Sequence, residues 1–323
     1  MENLYSIIFQ SLAGYYDTAR CFTIQRDISL LLLWRKSVER KSALCYTKNR
    51  NDFPRRKGKV KYVVVTGAYG GMGYETVKRL VESGFTVFAL DKNVRSAEEN
   101  VIPIQADVTD TESLKGAFEK VKSVTDELFA IVHFAGVYML DSLVELADEE
   151  FERILKINFS GAFYVNKIFM PLLRSGSRII MTTSELAPLS PLPFTGIYAV
   201  TKGALDKYAY SLRMELQLLG ISVSVIRAGA VSTGMLGVST AALDRFCEKT
   251  QLYSCNAERF RRIVNGVEAK SVPPEKIGEK TLKILGKKKP KFVYNINRNK
   301  LLLLLNALPK RMQFWVIKRI LKK

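Results

Sequence analysis

The stretch KYVVVTGAYGGMG, residues 61–73, joins an apolar, β-branched run to a cluster of glycines and then to a helix-like segment. A strand buried on both faces reads as one continuous apolar run, as VVV does here. Gly67, Gly71 and Gly73 stand where the chain must turn tightly, approach a diphosphate with bare backbone, and pack a helix against a sheet. The helix start then offers its free amides to phosphate oxygens. Glycine clusters are common in turns, so it is the placement between strand and helix that makes this a dinucleotide-binding signal.

The same alternation continues outward. Helix-like segments near 71–83, 111–123, 148–174 and 197–219 are interleaved with the runs FTVFALD (85–91), IPIQAD (102–107), LFAIVHFAG (128–136), SRIIMTTS (177–184) and ISVSVIRAG (221–229). KFVYNI (291–296) reads as a last strand. Buried runs separated by helices predict an α/β fold, a doubly wound parallel sheet with helices on both faces. Asp91 ends the second run, 24 residues after Gly67. An acid there suits the two hydroxyls of an adenine ribose and repels a 2′-phosphate. The glycine loop holds no Lys or Arg, which favours NAD over NADP, although Lys92 and Arg95 follow closely.

The 323 residues carry a formal charge of +19, concentrated at the ends. Residues 1–60 hold 12 basic and 5 acidic residues, and residues 283–323 hold 13 basic and no acidic ones. The middle, with 25 basic and 26 acidic residues, is neutral. That argues against nucleic acid as a partner and for basic arms on a neutral body. The expected organisation is a basic N-terminal extension over 1–59, a Rossmann-type domain over 60–300, and a basic amphipathic tail over 301–323. The extension contains ISLLLLW (28–34), far short of the ~20 apolar residues that span a bilayer. NRNDFPRRKGK (49–59) reads as a linker. In the tail, Phe314, Val316, Ile317, Ile320 and Leu321 fall on one helical arc and Lys318, Arg319, Lys322 and Lys323 on the other. Such a helix lies on an anionic membrane surface, or docks on its own domain or on a partner subunit. Cys21, Cys45, Cys247 and Cys255 form no C-x-x-C pair and the lone histidine is His133, so no metal site is expected. A reducing, cytoplasmic location, with peripheral membrane contact, is the simplest expectation.

TGAYGGMG, the pair Asp107-Val108 and YAVTK together resemble the short-chain dehydrogenase/reductase family, over about residues 60–300. The resemblance makes Thr66, Gly67, Gly71, Met72 and Gly73 the phosphate loop, and Asp107 and Val108 adenine contacts. Ala135 and Gly136 match the family's Asn-Asn-Ala-Gly, here HFAG, while Gly229 and Thr233 match its Pro-Gly turn, here Ala228-Gly229. It implies Asn158, Ser184, Tyr198 and Lys202 as catalytic residues, the last two also contacting cofactor. Ser184 precedes Tyr198 by 14 residues, as the family requires. Tyr74 and Lys78 share the tyrosine–lysine spacing without such a serine.

These residues suit transfer of hydride to or from a carbon bearing oxygen, because a proton must move on that oxygen. A phenol ionises at about 10, and a lysine ammonium one helical turn away is expected to lower that value. Ser184 would hold the substrate oxygen, and Asn158 would interrupt its helix. The loop ELAPLSPLPF (185–194) and the stretch from Gly234 to Pro273, with Met235, Leu236, Leu243, Phe246, Leu252 and Tyr253, are apolar enough to cover a lipophilic cleft. The segments LRMELQLLGISVSVIRAG and NRNKLLLLLNALPKRMQFWVIKRIL resemble the hydroxysteroid/retinol-type branch. The expected function is an NAD(P)(H)-dependent oxidoreductase on a lipophilic, steroid-like secondary alcohol or ketone, assembled as a homodimer or homotetramer. The alternative is a non-catalytic dinucleotide sensor on the same fold.

Overall fold

The computed structural model describes residues 60–268 and 270–322. The basic N-terminal extension, its ISLLLLW run, the linker, Cys21 and Cys45 lie outside the described residues. Seven parallel strands follow the order β3-β2-β1-β4-β5-β6-β7, confirming the doubly wound sheet. They are β1 (Lys61–Thr66), β2 (Phe85–Asp91), β3 (Val101–Gln105), β4 (Leu128–His133), β5 (Leu173–Ser184), β6 (Ser222–Ala228) and β7 (Val293–Ile296). The helices that matter to the site are α1 (Gly71–Glu82), α2 (Thr111–Lys122), α3 (Asp148–Leu155), α4 (Gly161–Phe169) and α5 (Gly196–Leu216).

The apolar run of β1 is explained by burial on both sheet faces. Val63 and Val65 join one core and Val64 the other, and all three are fully buried. The chain reverses its winding between β1 and β4, which opens a crevice at the carboxyl ends of these strands.

The single long helix expected near 148–174 is interrupted. A π-turn over Lys156–Ser160 separates α3 from α4, and a short 3₁₀ turn, Met170–Leu172, leads into β5 at Leu173, earlier than the sequence pattern suggested. The break centres on Asn158, whose side chain bonds neighbouring backbone instead of continuing a regular face. Pro171, which lacks an amide donor, sits in the terminating turn.

Beyond β6 come α6 (Gly234–Lys249), α7 (Ser254–Glu268), α8 (Glu275–Leu285), α9 (Lys300–Ala307) and α10 (Lys310–Leu321). Leu243, Phe246 and Phe260 form a small separate core with Leu140 and Phe194, so much of the apolar stretch after Gly234 packs inward. Leu252 stays exposed.

Candidate active site

The glycine loop closes only because it lacks side chains. Gly67 holds φ at +64°, and a Cβ there would lie 2.6 Å from the Ala135 nitrogen. A Cβ on Gly73 would lie 2.0 Å from the Gly67 oxygen, and one on Gly71 2.6 Å from Thr233 Cβ. Gly70 caps α1 without a side-chain bond, which leaves the amides beginning at Gly71 and Met72 for an anion. The residues therefore fit a dinucleotide diphosphate. At the end of β2, Asp91 Oδ2 accepts from the Tyr69 amide (3.0 Å) and Oδ1 from the Asn93 amide (3.3 Å), so the carboxylate is fixed beside the loop. Arg95 stacks over Tyr74, 4.5 Å from the ring centre. Lys92 pairs with Asp107 at 2.9 Å. Burial opposes ionisation of Asp107, but Thr109 and Lys92 hold its pKa below the ordinary carboxylate value. Val108 packs against Gly161, where a Cβ would lie 2.8 Å from Val108 Cγ2.

Ser184 ends β5, and Tyr198 and Lys202 occupy the first turns of α5. The Lys202 ammonium donates to the Thr182 carbonyl (3.2 Å) and lies 5.8 Å from the Tyr198 ring centre. Asn158 Oδ1 accepts from the Val137 amide (2.7 Å), while its Nδ2 donates to the Val137 carbonyl (2.9 Å) and to Thr201 Oγ1 (3.1 Å). A Cβ on Gly136 would sit 3.2 Å from Asn158 Oδ1 and 3.3 Å from Lys202 Nζ, a tight fit that glycine avoids. Tyr138 packs edge-on against Tyr198, with ring centres 4.7 Å apart.

The expected lowering of the Tyr198 pKa is reversed in the protein itself. Burial pushes it up to about 12, with the Ser184 hydroxyl pulling only weakly the other way. Burial likewise pushes Lys202 down to about 8. Both groups are driven toward their neutral forms because burial strips water from the charged ones.

A cavity of about 530 Å³ joins these groups to an apolar chamber, within the roughly 300–1,000 Å³ typical of small-molecule sites. Met72, Ser184, Tyr198, Lys202, Gly229 and Thr233 line its reacting end. Leu302 and Leu305 of α9 and Val316, Ile317 and Leu321 of α10 line the other. Of the arrangements open to the tail, the structure has α10 docked on its own domain. Asn256 Nδ2 donates to the Leu321 carbonyl (2.7 Å), and the Ser190 amide donates to Asn306 Oδ1 (2.7 Å). Phe314, expected on the apolar arc, instead points outward with Trp315; they are 67% and 66% exposed.

A family model described as short chain dehydrogenase matches residues 61–244. The chain belongs to the short-chain dehydrogenase family. It is 37% identical over 189 residues to estradiol 17-beta-dehydrogenase 2 of Mus musculus, covering 55% of this chain and 50% of that protein. The chain thus spans about half the length of the estradiol dehydrogenase relatives it matches. A short-chain dehydrogenase from Streptomyces avermitilis shares the fold at TM-score 0.65 and 18% identity, covering 81% of this chain and 97% of that one. One from Burkholderia cenocepacia, solved in complex with NADP, does so at TM-score 0.62 and 19% identity, covering 82% and 99%.

This short-chain dehydrogenase departs from the family pattern at two places. His133 is buried, and its Nε2 lies 2.9 Å from Asn166 Oδ1, whose amide donates to the Tyr208 hydroxyl (3.2 Å). Burial pushes His133 down to about 4, so it is a neutral core residue at pH 7. The turn lacking proline at Ala228-Gly229 is held by β7: the Gly229 amide donates to the Ile296 carbonyl (2.9 Å), and a Cβ on Gly229 would strike the Asn297 oxygen at 2.0 Å.

Sequence reasoning missed three contributors. Asp206 and Arg227 form a buried pair (2.6 Å) that ties α5 to β6 and accepts the Thr183 hydroxyl. Thr182 lines the cavity beside Lys202. Glu185 is buried directly after Ser184, and its position inside the apolar run ELAPLSPLPF was the available signal.

Proposed function

We propose that this short-chain dehydrogenase interconverts a secondary alcohol and a ketone on a lipophilic, steroid-like substrate with NAD(H). The carrying observation is convergence: Ser184, Tyr198 and Lys202 line one end of an apolar cavity that adjoins the glycine loop. Bound nicotinamide supplies the hydride exchange. Gly67, Gly71, Met72 and Gly73 would hold the diphosphate, Asp91, Asp107 and Val108 the adenosine, and Ala135, Gly136, Gly229 and Thr233 the nicotinamide half. Tyr198 moves the proton on the substrate oxygen, and Ser184 stabilises the charge developing there. Burial keeps Tyr198 a phenol at neutral pH, the form that donates a proton to a carbonyl oxygen. Lys202 orients the nicotinamide ribose, and Asn158 braces the backbone at Val137 beside it. The likeness to an estradiol dehydrogenase and the apolar walls support the substrate class.

The test is incubation with estradiol and a panel of lipid alcohols, with NAD and NADP in parallel, following absorbance of the reduced cofactor. Turnover with NAD is the expected result. Cofactor binding without turnover on any alcohol or ketone would leave the sensor reading instead. The carboxylate of Asp91 repels a 2′-phosphate, so Asp91→Ser raises the NADP-to-NAD ratio of kcat/KM about ten- to hundredfold. An unchanged ratio removes Asp91 from cofactor selection.

The outward face of α9 and α10 supports peripheral membrane contact. Leu301, Leu304, Phe314 and Trp315 are exposed among basic residues, in a segment with 13 Lys/Arg and no acid. Among the described residues no helix is long and apolar enough to cross a membrane. Wild type floats with vesicles rich in anionic lipid, and a Phe314→Glu, Trp315→Glu variant stays with the soluble fraction. Equal flotation of the two defeats this contact. Exposed Phe151 and Phe163 on α3 and α4, and Val200 and Met214 on α5, support a homodimer, or a homotetramer built from it.

A further inference from the structure

Glu185 is a carboxylate in the wrong surroundings for a spectator. It is 6% exposed and lines the cavity between the catalytic Ser184 and the apolar Leu186. Its backbone amide donates to the Ala228 carbonyl (2.9 Å), which fixes the residue at the sheet edge. One carboxylate oxygen, Oε2, accepts the Asn299 amide at 2.6 Å, where the chain enters α9. The other, Oε1, lies 2.9 Å from where a Gly229 Cβ would be, and Gly229 itself lines the cavity. Among the described residues no hydrogen bond ends on Oε1 and no cation stands within ion-pair distance of the carboxylate. A carboxylate this far buried and served by one neutral amide is costly, because it has given up most of its water, and Oε1 keeps only what the cavity admits. Burial accordingly raises the Glu185 pKa, opposed by the Asn299 amide and by the charge of Arg298. A helix cap alone would be met by a neutral asparagine or serine; the second oxygen has no structural task.

Building on the oxidoreductase reading above, we propose that Glu185 Oε1 is a second polar subsite, which accepts a hydrogen bond from a hydroxyl or ammonium group adjacent to the reacting carbon of the substrate. Its place one residue beyond Ser184, with Oε1 against Gly229, sets that oxygen toward the reacting end of the cavity, while Oε2 faces the start of α9. The enzyme then selects vicinal diols, hydroxyketones and amino alcohols over plain alcohols, within an otherwise apolar site. An ammonium makes the stronger, charge-assisted bond.

Three small rings isolate this contact: cyclohexanol, trans-cyclohexane-1,2-diol and trans-2-aminocyclohexanol. Binding to the NADH-loaded enzyme is read by the change in NADH fluorescence, separately from turnover. Wild type binds the diol about tenfold tighter than cyclohexanol, and the amino alcohol tighter still. Glu185→Gln keeps an acceptor for the Asn299 amide while presenting a donor where Oε1 stood. It abolishes the preference for the amino alcohol, whose ammonium can only donate, and leaves cyclohexanol binding and NADH affinity as in wild type, with a melting temperature no lower. The proposal is overturned if wild type shows no preference, or if the preference for the amino alcohol survives in the variant. It is also overturned if the variant instead loses NADH affinity, which would assign Oε1 to the cofactor's carboxamide. A preference without turnover of any ring or steroid would leave the subsite standing and remove the catalytic reading.

Discussion

Tyr198→Phe lowers kcat by about 10²–10⁴-fold while NADH still binds, because general acid–base catalysis contributes that much and the ring's packing is unchanged. The phenylalanine keeps the edge-on contact with Tyr138 at 4.7 Å and loses only the hydroxyl beside Ser184. Stopped-flow turnover with the best alcohol or ketone of the panel, alongside NADH fluorescence titration, separates chemistry from binding. A variant that turns over at the wild-type rate would remove Tyr198 from proton transfer. Loss of NADH binding to the same degree as turnover would make the residue structural.

Lys202→Met stabilises the protein at pH 7 and destroys its activity. The Lys202 pKa falls from 10.5 in an ordinary setting to about 8 in the fold, so the buried ammonium costs about 3 kcal/mol. The sign follows from proton counting. Between about pH 8 and 10.5 the unfolded chain holds a proton that the folded chain has released, so wild-type stability rises with pH across that window. Below pH 8 the full penalty applies, and methionine, of similar length and without charge, removes it. The Thr182 carbonyl loses its donor in exchange, which returns about 1–2 kcal/mol of the gain. A rise in Tm of about 5 °C at pH 7, fading toward pH 10.5, is expected by thermal melting without cofactor. Catalysis falls more than about a hundredfold, since the charge that supports the phenol and the contact to the ribose are both gone. A variant less stable than wild type at pH 7 would mean that Lys202 is held by interactions stronger than its desolvation.

The same two residues mark where sequence reading stopped. Tyr198 and Lys202 were legible because residues four apart share a helix face and because Ser184 preceded them at the family's distance. The direction of the Tyr198 shift was not. It depends on how much water the completed fold removes, and neighbouring charge alone does not report that. Asn158 was legible as a helix interruption, but its partners, the backbone of Val137 and Thr201, were not. The apolar arc of the tail was legible as amphipathic. Which side would be covered was not, and Phe314 turned outward while Val316, Ile317 and Leu321 formed a cavity wall.

By itself the sequence determined the winding of the sheet and the glycine loop. Strand burial on both faces forces continuous apolar runs, and a loop in which a Cβ would strike backbone admits only glycine. Both are constraints written into neighbouring residues. Tertiary structure alone decided the chamber behind Tyr198 and the isolation of Glu185 within it. Those walls come from β5, β6, α9 and α10, segments up to about 140 residues apart, and only long-range packing brings their side chains around one space.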